Sequence, residues 1–424
     1  MRYQLLDNEL VNIDESQLIN ADNEYIQLED SLLLEITEVL KDSESHKQTA
    51  VVVFNQDMQV LPMVSDWLST ELSNLSSVES IKTYAKNITY FLDYLSTLSL
   101  YKNKPLDSAF LYIQKHTIED YFVYLRNEKG LASKTIRNRD STYRDFFNDY
   151  LCKPRENGNA YRDDNPYEGG YLSSAAKSKL VEMCSIDELI ALMMCAHSES
   201  ERVLLQFMFD SGVRRSEIIR VFKSDIDNAL SLDSHSYIVD DFTVLIPSQY
   251  TKLYIAGVKG IKREVKPRYT LPSINTLARL KRYLSSPEYR LHSKKFGSNA
   301  PAFFNSYGEP YKASTINKLL LRLSIRALKK GLIKRAIHPH MLRHGFAGSV
   351  LRSKDLGIDA VDRLITLQHC LGHSQLKTTS IYTQLPYDIY GQIINEDGEI
   401  LSRADIMKLV STKTKKRLFF RRAK

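Results

Sequence analysis

Cysteine is scarce. Cys152, Cys184, Cys195 and Cys370 are scattered through 424 residues without a CxxC pair. That excludes a disulfide scaffold or a cysteine-based zinc framework and fits a reducing compartment. Long apolar runs are absent too: nothing approaches the roughly 18 residues a membrane-spanning helix needs. The opening "MRYQLLDNELVNIDES" is acidic and has no apolar stretch of the signal-peptide kind, so a cytoplasmic location is expected. No internal repeat is visible. The chain has the composition of a globular protein, 43% hydrophobic and 26% charged, with length enough for two or three domains.

The net charge is +7, unevenly placed. Residues 1–45 hold twelve acids and two bases, a balance of −10, so the rest of the chain carries +17. A basic body points to a polyanionic partner, most often nucleic acid. The last twelve residues, "KTKKRLFFRRAK", add seven bases and no acid.

Patterning divides the chain. Residues 1–55 read as an acidic N-terminal extension, for which a protein partner is the expectation. Residues 56–152 read as a helical domain. There Ser76 and Glu79 have capping-box spacing, and Ile81, Tyr84, Ile88, Phe91 and Leu95 form one apolar stripe. Thr117 and Asp120 open a second helix. Ser133 opens a third, where Ile136, Tyr143, Phe147 and Tyr150 share a face, and Lys134, Arg137, Ser141 and Arg144 lie roughly opposite. That basic face is either a DNA contact or an ordinary solvated surface. The Pro-, Gly- and Asn-rich residues 153–175 read as a linker. A second domain, 176–390, begins with the Ser185/Glu188 capping box. It turns strand-like at "SYIVDDFTVLIP", "LYIAGVKG" and "KREVKPRYTLP", then returns to helix. Residues 391–424 form a C-terminal segment with the basic tail. The expected fold class is mainly α with a small β-sheet.

Four stretches carry chemistry. In "SGVRRSE", Gly212 can end one helix and Arg214 starts the next. Glu217, three residues on, can orient the Arg214 guanidinium, although Arg215 is adjacent and such a pair is often only a surface feature. In "GVKGIKREVKPR", Lys259 lies beside Gly260 on a tight turn, with Lys262 and Lys252 as alternatives. In "HPHMLRHG", Pro339 suits a first helical turn, His340 and Arg343 point to one side, and His344 adds a donor. A metal site there lacks a carboxylate ligand, and Arg343 sets a fixed positive charge against any cation, so phosphate fits better. In "LGHSQLKTTSIYT", Tyr382 follows His373 by nine residues.

In this order the four stretches closely resemble the tyrosine recombinase (phage integrase) family, across about residues 60–390. The resemblance implies a helical core-binding domain before a catalytic domain. It implies transesterification in which Tyr382 attacks a scissile DNA phosphate and forms a 3′-phosphotyrosyl bond, splitting one hard step into two. No ATP site is needed, and no GxxxxGK[ST] loop is present. Arg214 and Arg343 would clamp the phosphorane, Lys259 would protonate the 5′-oxygen, His340 would help move the nucleophile's proton, and His373 would hydrogen-bond the phosphate. Glu217 would hold Arg214, His338 would be structural, and Lys134, Arg137 and Arg144 would contact DNA. No metal or cofactor is implied. The implied partner is double-stranded DNA carrying recombination sites, in a homo-tetramer associated with the nucleoid. The 45 residues between Arg214 and Lys259 suggest an insertion near 228–250. Residues 401–411 are expected to dock on a neighbouring protomer through Leu401, Ile406 and Leu409, and 413–424 to reach DNA phosphates. A type IB topoisomerase-like enzyme and a catalytically inactive DNA-binding protein are the alternatives.

Overall fold

The computed structural model describes residues 2–6, 50–55, 59–74, 77–101, 106–155, 158–175, 180–231, 236–239, 242–257, 267–373, 376–382, 393–394 and 398–415. The chain divides into two compact units, Met1–Ser178 and Lys179–Lys424.

The first unit is a helical bundle edged by a hairpin. Strand β1 (Arg2–Leu6) pairs antiparallel with β2 (Ala50–Phe54), Arg2 opposite Phe54. The helices are α1 (Pro62–Ser73), α2 (Val78–Leu95), α3 (Leu106–Tyr112), α4 (Lys115–Asn127) and α5 (Ser133–Phe146), the last ending in a π-helical turn, Phe147–Leu151. The expected stripe is the core: Ile81, Ile88, Phe91 and Leu95 are buried, and Tyr84 stacks on Trp67 with ring centroids 5.6 Å apart. Val51 and Val53 are buried as well, and the Val53 amide donates to Ser65 Oγ at 3.0 Å, so β2 belongs to this bundle.

Two helix starts differ from expectation. The cap of α2 is Ser77, whose hydroxyl accepts from the Ser80 amide at 3.1 Å; Ser76 lies outside the described residues. Helix α4 begins at Lys115, which puts Thr117 inside its first turn, buried. Polar residues cluster at both helix starts, and residue type alone does not say which of them caps.

The stretch expected to be a linker is folded onto this unit. Tyr167 is buried against Phe147, with ring centroids 5.7 Å apart. Arg162 donates to the Phe110 carbonyl at 3.0 Å, and the Ser173 amide and hydroxyl both donate to Asp140 Oδ2, at 2.8 and 2.6 Å. Its loop-forming composition is real, but its aromatic and arginine side chains supply enough contact to hold it down.

The second unit places α6 (Ile186–Cys195) behind the capping box as expected: Ser185 Oγ accepts from the Glu188 amide at 3.1 Å, and Glu188 accepts from the Ser185 amide at 2.9 Å. Next come α7 (Glu199–Ser211), the short α8 (Arg215–Ile218) and α9 (Lys223–Ala229). Two antiparallel hairpins follow. One is β3 (Ser236–Val239) with β4 (Phe242–Leu245), inside the stretch expected to hold an insertion. The other is β5 (Leu253–Ile255) with β6 (Arg268–Thr270). Helices then continue: α10 (Ile274–Leu284), α11 (Pro287–Ser293), α12 (Ala313–Lys329), α13 (Pro339–Arg352), α14 (Ala360–Leu371) and α15 (Leu376–Thr379), the last running into a 3-10 turn, Ser380–Tyr382. Helix α16 (Arg403–Lys413) is the last element among the described residues. The fold is mainly α with small β elements.

Helix α16, expected to dock on a neighbouring protomer, packs on its own unit. Its buried face is Arg403, Ile406, Met407 and Val410, at helical spacing, while Leu409 is exposed. Arg403 pairs with Asp210 Oδ1 at 3.0 Å in the interior, its guanidinium between the rings of Tyr250 and Phe346. Removing one member of such a pair costs about 3–5 kcal/mol; this anchor adds to the packing of Leu401 and Ile406, the two residues of the expected apolar face that meet the core.

Candidate active site

The site begins at the α7–α8 corner. Helix α7 ends because Gly212 takes the left-handed conformation, φ 62°, and a side chain there would meet the Phe346 ring at 2.3 Å. The turn makes Arg214 the N-cap of α8 and brings Glu217 back over it. The Arg214 amide donates to Glu217 Oε2 at 2.6 Å and its Nη1 to Oε1 at 2.9 Å.

Glu217 is shared. Arg268, on β6, donates to its two oxygens at 2.7 and 2.9 Å, and its Nε donates to the Cys370 carbonyl at 2.7 Å. Burial alone would raise the Glu217 carboxyl. Arg268, the hydrogen bonds and Arg214 outweigh burial and hold it below its usual value. A side chain at Gly372, φ 63°, would meet Arg268 Cδ at 2.5 Å, so the glycine that ends α14 also makes room for this guanidinium.

Arg343, one turn into α13, is held differently. It is 2% exposed, and it donates to two backbone carbonyls, Gly212 at 2.5 Å and Leu371 at 2.7 Å. No carboxylate pairs with it among the described contacts. Burial, then Arg214 and Arg268, push it down to about 9, still charged at neutral pH. Its Nη2 lies 3.3 Å from His373 Nε2, and His373 Nδ1 lies 3.0 Å from Thr379 Oγ1. Arginine has no acceptor, so Nε2 accepts and the ring proton sits on Nδ1. Burial, Arg343 and Arg214 push His373 down to about 4.

Arg214, Arg215, His338, His340 and Arg343 line an open cleft of about 620 Å³. The imidazoles of His340 and His344 stack at 5.3 Å with their planes 9° apart. His344 Nδ1 lies 2.8 Å from the Tyr382 hydroxyl, and Tyr382 is 1% exposed. Burial raises the Tyr382 phenol despite the nearby arginines. Among the described residues no group of three or more His, Cys, Asp or Glu side chains could hold a metal ion. The arrangement is a net-positive cradle beside a protonated phenol, suited to an anion carrying an electrophilic centre.

Residues 182–388 match the phage integrase family model. The tyrosine recombinase XerC of Listeria welshimeri is 29% identical over 322 residues, covering 70% of this chain and 91% of that protein. Residues 182–388 of this chain belong to the phage integrase family. The XerC of Chromobacterium violaceum is 28% identical over 265 residues, covering 61% of this recombinase and 72% of the relative. The fold is shared with XerH site-specific recombinase bound to palindromic difH substrate, with TM-score 0.51, 21% identity, and coverage of 74% of this chain and 79% of that one. It is shared too with the Tn1549 transposon integrase in complex with transposon right end DNA, with TM-score 0.52, 16% identity, and coverage of 78% and 96%.

In this recombinase the structure forms two hydrogen-bonded groups, Arg214 with Glu217 and Arg343 with His373, while His344 touches both His340, by stacking, and Tyr382, by a hydrogen bond. Lys259 and Lys262 lie outside the described residues. Lys252 has its ammonium 5.9 Å from the centre of the Tyr269 ring, on the β5–β6 hairpin. His338, expected to be structural, is exposed at the N-cap of α13, without a side-chain capping bond. The phenol's described partner is His344, not His340. Sequence reasoning missed Arg268, which sits in a lysine- and arginine-rich hairpin where nothing local singles it out. In the first unit Lys134 is exposed. Arg137 and Arg144 instead flank the Tyr171 ring, at 3.5 and 4.1 Å from its centroid, and Arg137 donates to the Ser173 carbonyl at 2.5 Å. No helix among the described residues is long and apolar enough to cross a membrane.

Proposed function

We propose that this chain is a site-specific DNA recombinase that cuts and rejoins duplex DNA through a 3′-phosphotyrosyl bond on Tyr382, in the service of a mobile element. The observation that carries this is the net-positive cradle of Arg214, Arg343 and Arg268 against the single carboxylate of Glu217, at the cleft beside Tyr382. The scissile phosphate enters between Arg214 and Arg343. Charge grows on its non-bridging oxygens as the phenol oxygen attacks, and preorganised cations stabilise that state by about 3–4 kcal/mol each. His340 and His373 flank the phosphate, and Lys259 protonates the departing 5′-oxygen. The phosphotyrosine conserves the phosphodiester energy, so no cofactor enters. Recombination takes two duplexes and four protomers, and the acidic extension meets a protein partner. Lys134 on α5 is free to reach a DNA backbone, whereas Arg137 and Arg144 reach it only by sharing or leaving Tyr171.

The test uses a nicked duplex of the crossover sequence, mapped by sequencing covalent adducts on DNA flanking the gene. Wild-type protein forms an SDS-resistant adduct in EDTA; Tyr382→Phe binds the duplex and forms none. An adduct on the Phe variant would assign the nucleophile elsewhere. Loss of cleavage in EDTA, restored by zinc or magnesium, would replace the phosphate cradle with a metal site. Relaxation of plasmids without any crossover sequence would indicate a topoisomerase.

A further inference from the structure

We infer that His344 is the base that takes the Tyr382 phenol proton during strand cleavage and returns it during rejoining, a role that rests on Tyr382 being the nucleophile. Three observations converge on it. His344 Nδ1 is 2.8 Å from the phenol oxygen, within direct proton-transfer reach. Tyr382 is 1% exposed, so bulk water has little access to carry the proton away. And His344 lies one turn beyond His340 on α13, its ring fixed by the stack on His340 at 5.3 Å, so Nδ1 stays aimed at the phenol.

The protonation states agree with this geometry. The groups acting on His344 are His340, Arg343, His338 and His373, and none is an acid. Burial and these neighbours hold it at about 4, so it is neutral near pH 7. The phenol is raised above its ordinary value, so its O–H donates and the Nδ1 lone pair accepts. The proton stays on oxygen in the free protein. As the phenol oxygen bonds to phosphorus its hold on the proton collapses, while the phosphate's negative charge offsets the arginines that suppress the imidazole. The O–P bond forms, the proton passes to Nδ1, and the P–O5′ bond breaks with that oxygen protonated by the general acid. In the reverse step the imidazolium returns its proton to the departing phenolate. His340 shares the cleft, but its described contact is the stack on His344 rather than a hydrogen bond to Tyr382.

The experiment is single-turnover cleavage of the nicked crossover duplex. His344→Ala should slow adduct formation by about 10²–10⁴-fold, the range for a lost general base. Replacing Tyr382 by 3,5-difluorotyrosine, a more acidic phenol, should recover much of that loss. A 5′-bridging sulfur in the substrate should not, because that substitution relieves the leaving group and rescues Lys259→Ala instead. His344→Gln, which can still accept the phenol's hydrogen bond but holds no proton, should bind DNA normally and stay slow. Full cleavage by His344→Gln, or wild-type cleavage by His344→Ala, overturns the inference. Should both variants fail to fold, ¹⁵N-histidine spectra of the intact protein decide: Nδ1 of His344 should be unprotonated and should shift in Tyr382→Phe, and a protonated Nδ1 overturns the assignment. An adduct surviving Tyr382→Phe would instead defeat the proposed function, which keeps the two failures apart.

Discussion

Arg343 and Arg214 flank one cleft, yet the chain holds them by opposite means. Arg343 is buried and bound by the carbonyls of Gly212 and Leu371, which accept its hydrogen bonds without cancelling its charge. Arg214 is 34% exposed and bound by Glu217, which does cancel charge. Arg268 then restores the balance by taking the same carboxylate in a two-pronged grip. Three guanidinium groups against one carboxylate leave two net positive charges in a largely buried place. Burial of unpaired charge is costly, and an arriving phosphate relieves that cost. At Arg343 the two carbonyl hydrogen bonds offset that cost in the free protein, so the residue supports the fold as well as the charge; at Arg214, more exposed, less of the fold depends on the guanidinium.

Breaking the buried side should do the most. Arg343→Ala should lower single-turnover cleavage about a thousandfold, the upper end for one lost transition-state donor. It should also lower the urea midpoint, because two buried carbonyls lose their partner at about 1–3 kcal/mol each. Arg214→Ala should cost about a hundredfold in cleavage with little change in the midpoint, since Glu217 keeps Arg268. An equal stability loss in the two variants would end the contrast drawn between them.

Arg268→Ala sharpens it further. Arg268 faces Glu217 and a backbone carbonyl, so cleavage should fall only about tenfold, through the position of Arg214. Stability should fall more than in Arg214→Ala but by less than the roughly 3–5 kcal/mol of an uncompensated buried charge, because Glu217 loses its buried two-pronged partner and keeps Arg214. Adding Glu217→Gln should recover part of that stability, and no recovery would mean that Arg268 acts through packing alone.

The smallest effect is on pH. His344 and His373 are held at about 4, against about 6.5 for an unfolded imidazole. Folded values below the unfolded one mean that their contribution to stability is complete above about pH 6.5 and is lost as the pH falls toward 4. The urea midpoint should drop across that window, and less steeply in His344→Gln. Parallel pH curves for the variant and the parent would show that the cradle's charge is not felt at His344.

The first unit was legible in advance because its signals are local and periodic: the stripe Ile81, Ile88, Phe91 and Leu95 is the core. Helix starts slipped where Ser76 and Ser77 competed, since capping chemistry is nearly the same at both. Of the three residues read as the apolar face of the C-terminal helix, Leu401 and Ile406 meet the core and only Leu409 turns out to solvent. It is Arg403, meeting Asp210 across 193 residues, that sets the rotation. Arg137 and Arg144 read as a free basic face, and only the return of Tyr171 onto α5 shows them occupied.

By itself the sequence determined the helical class, the family resemblance, and the basic residue types from which a phosphate grip is proposed. "SGVRRSE" and "HPHMLRHG" each carry their chemistry within a turn or two of helix, where spacing fixes direction. Tertiary structure alone decided which side chains share a proton or a charge. The His344–Tyr382 contact spans 38 residues, and the Arg268–Glu217 pair spans 51. Periodicity along one helix says which way a group points. What stands opposite is set by how separate elements pack.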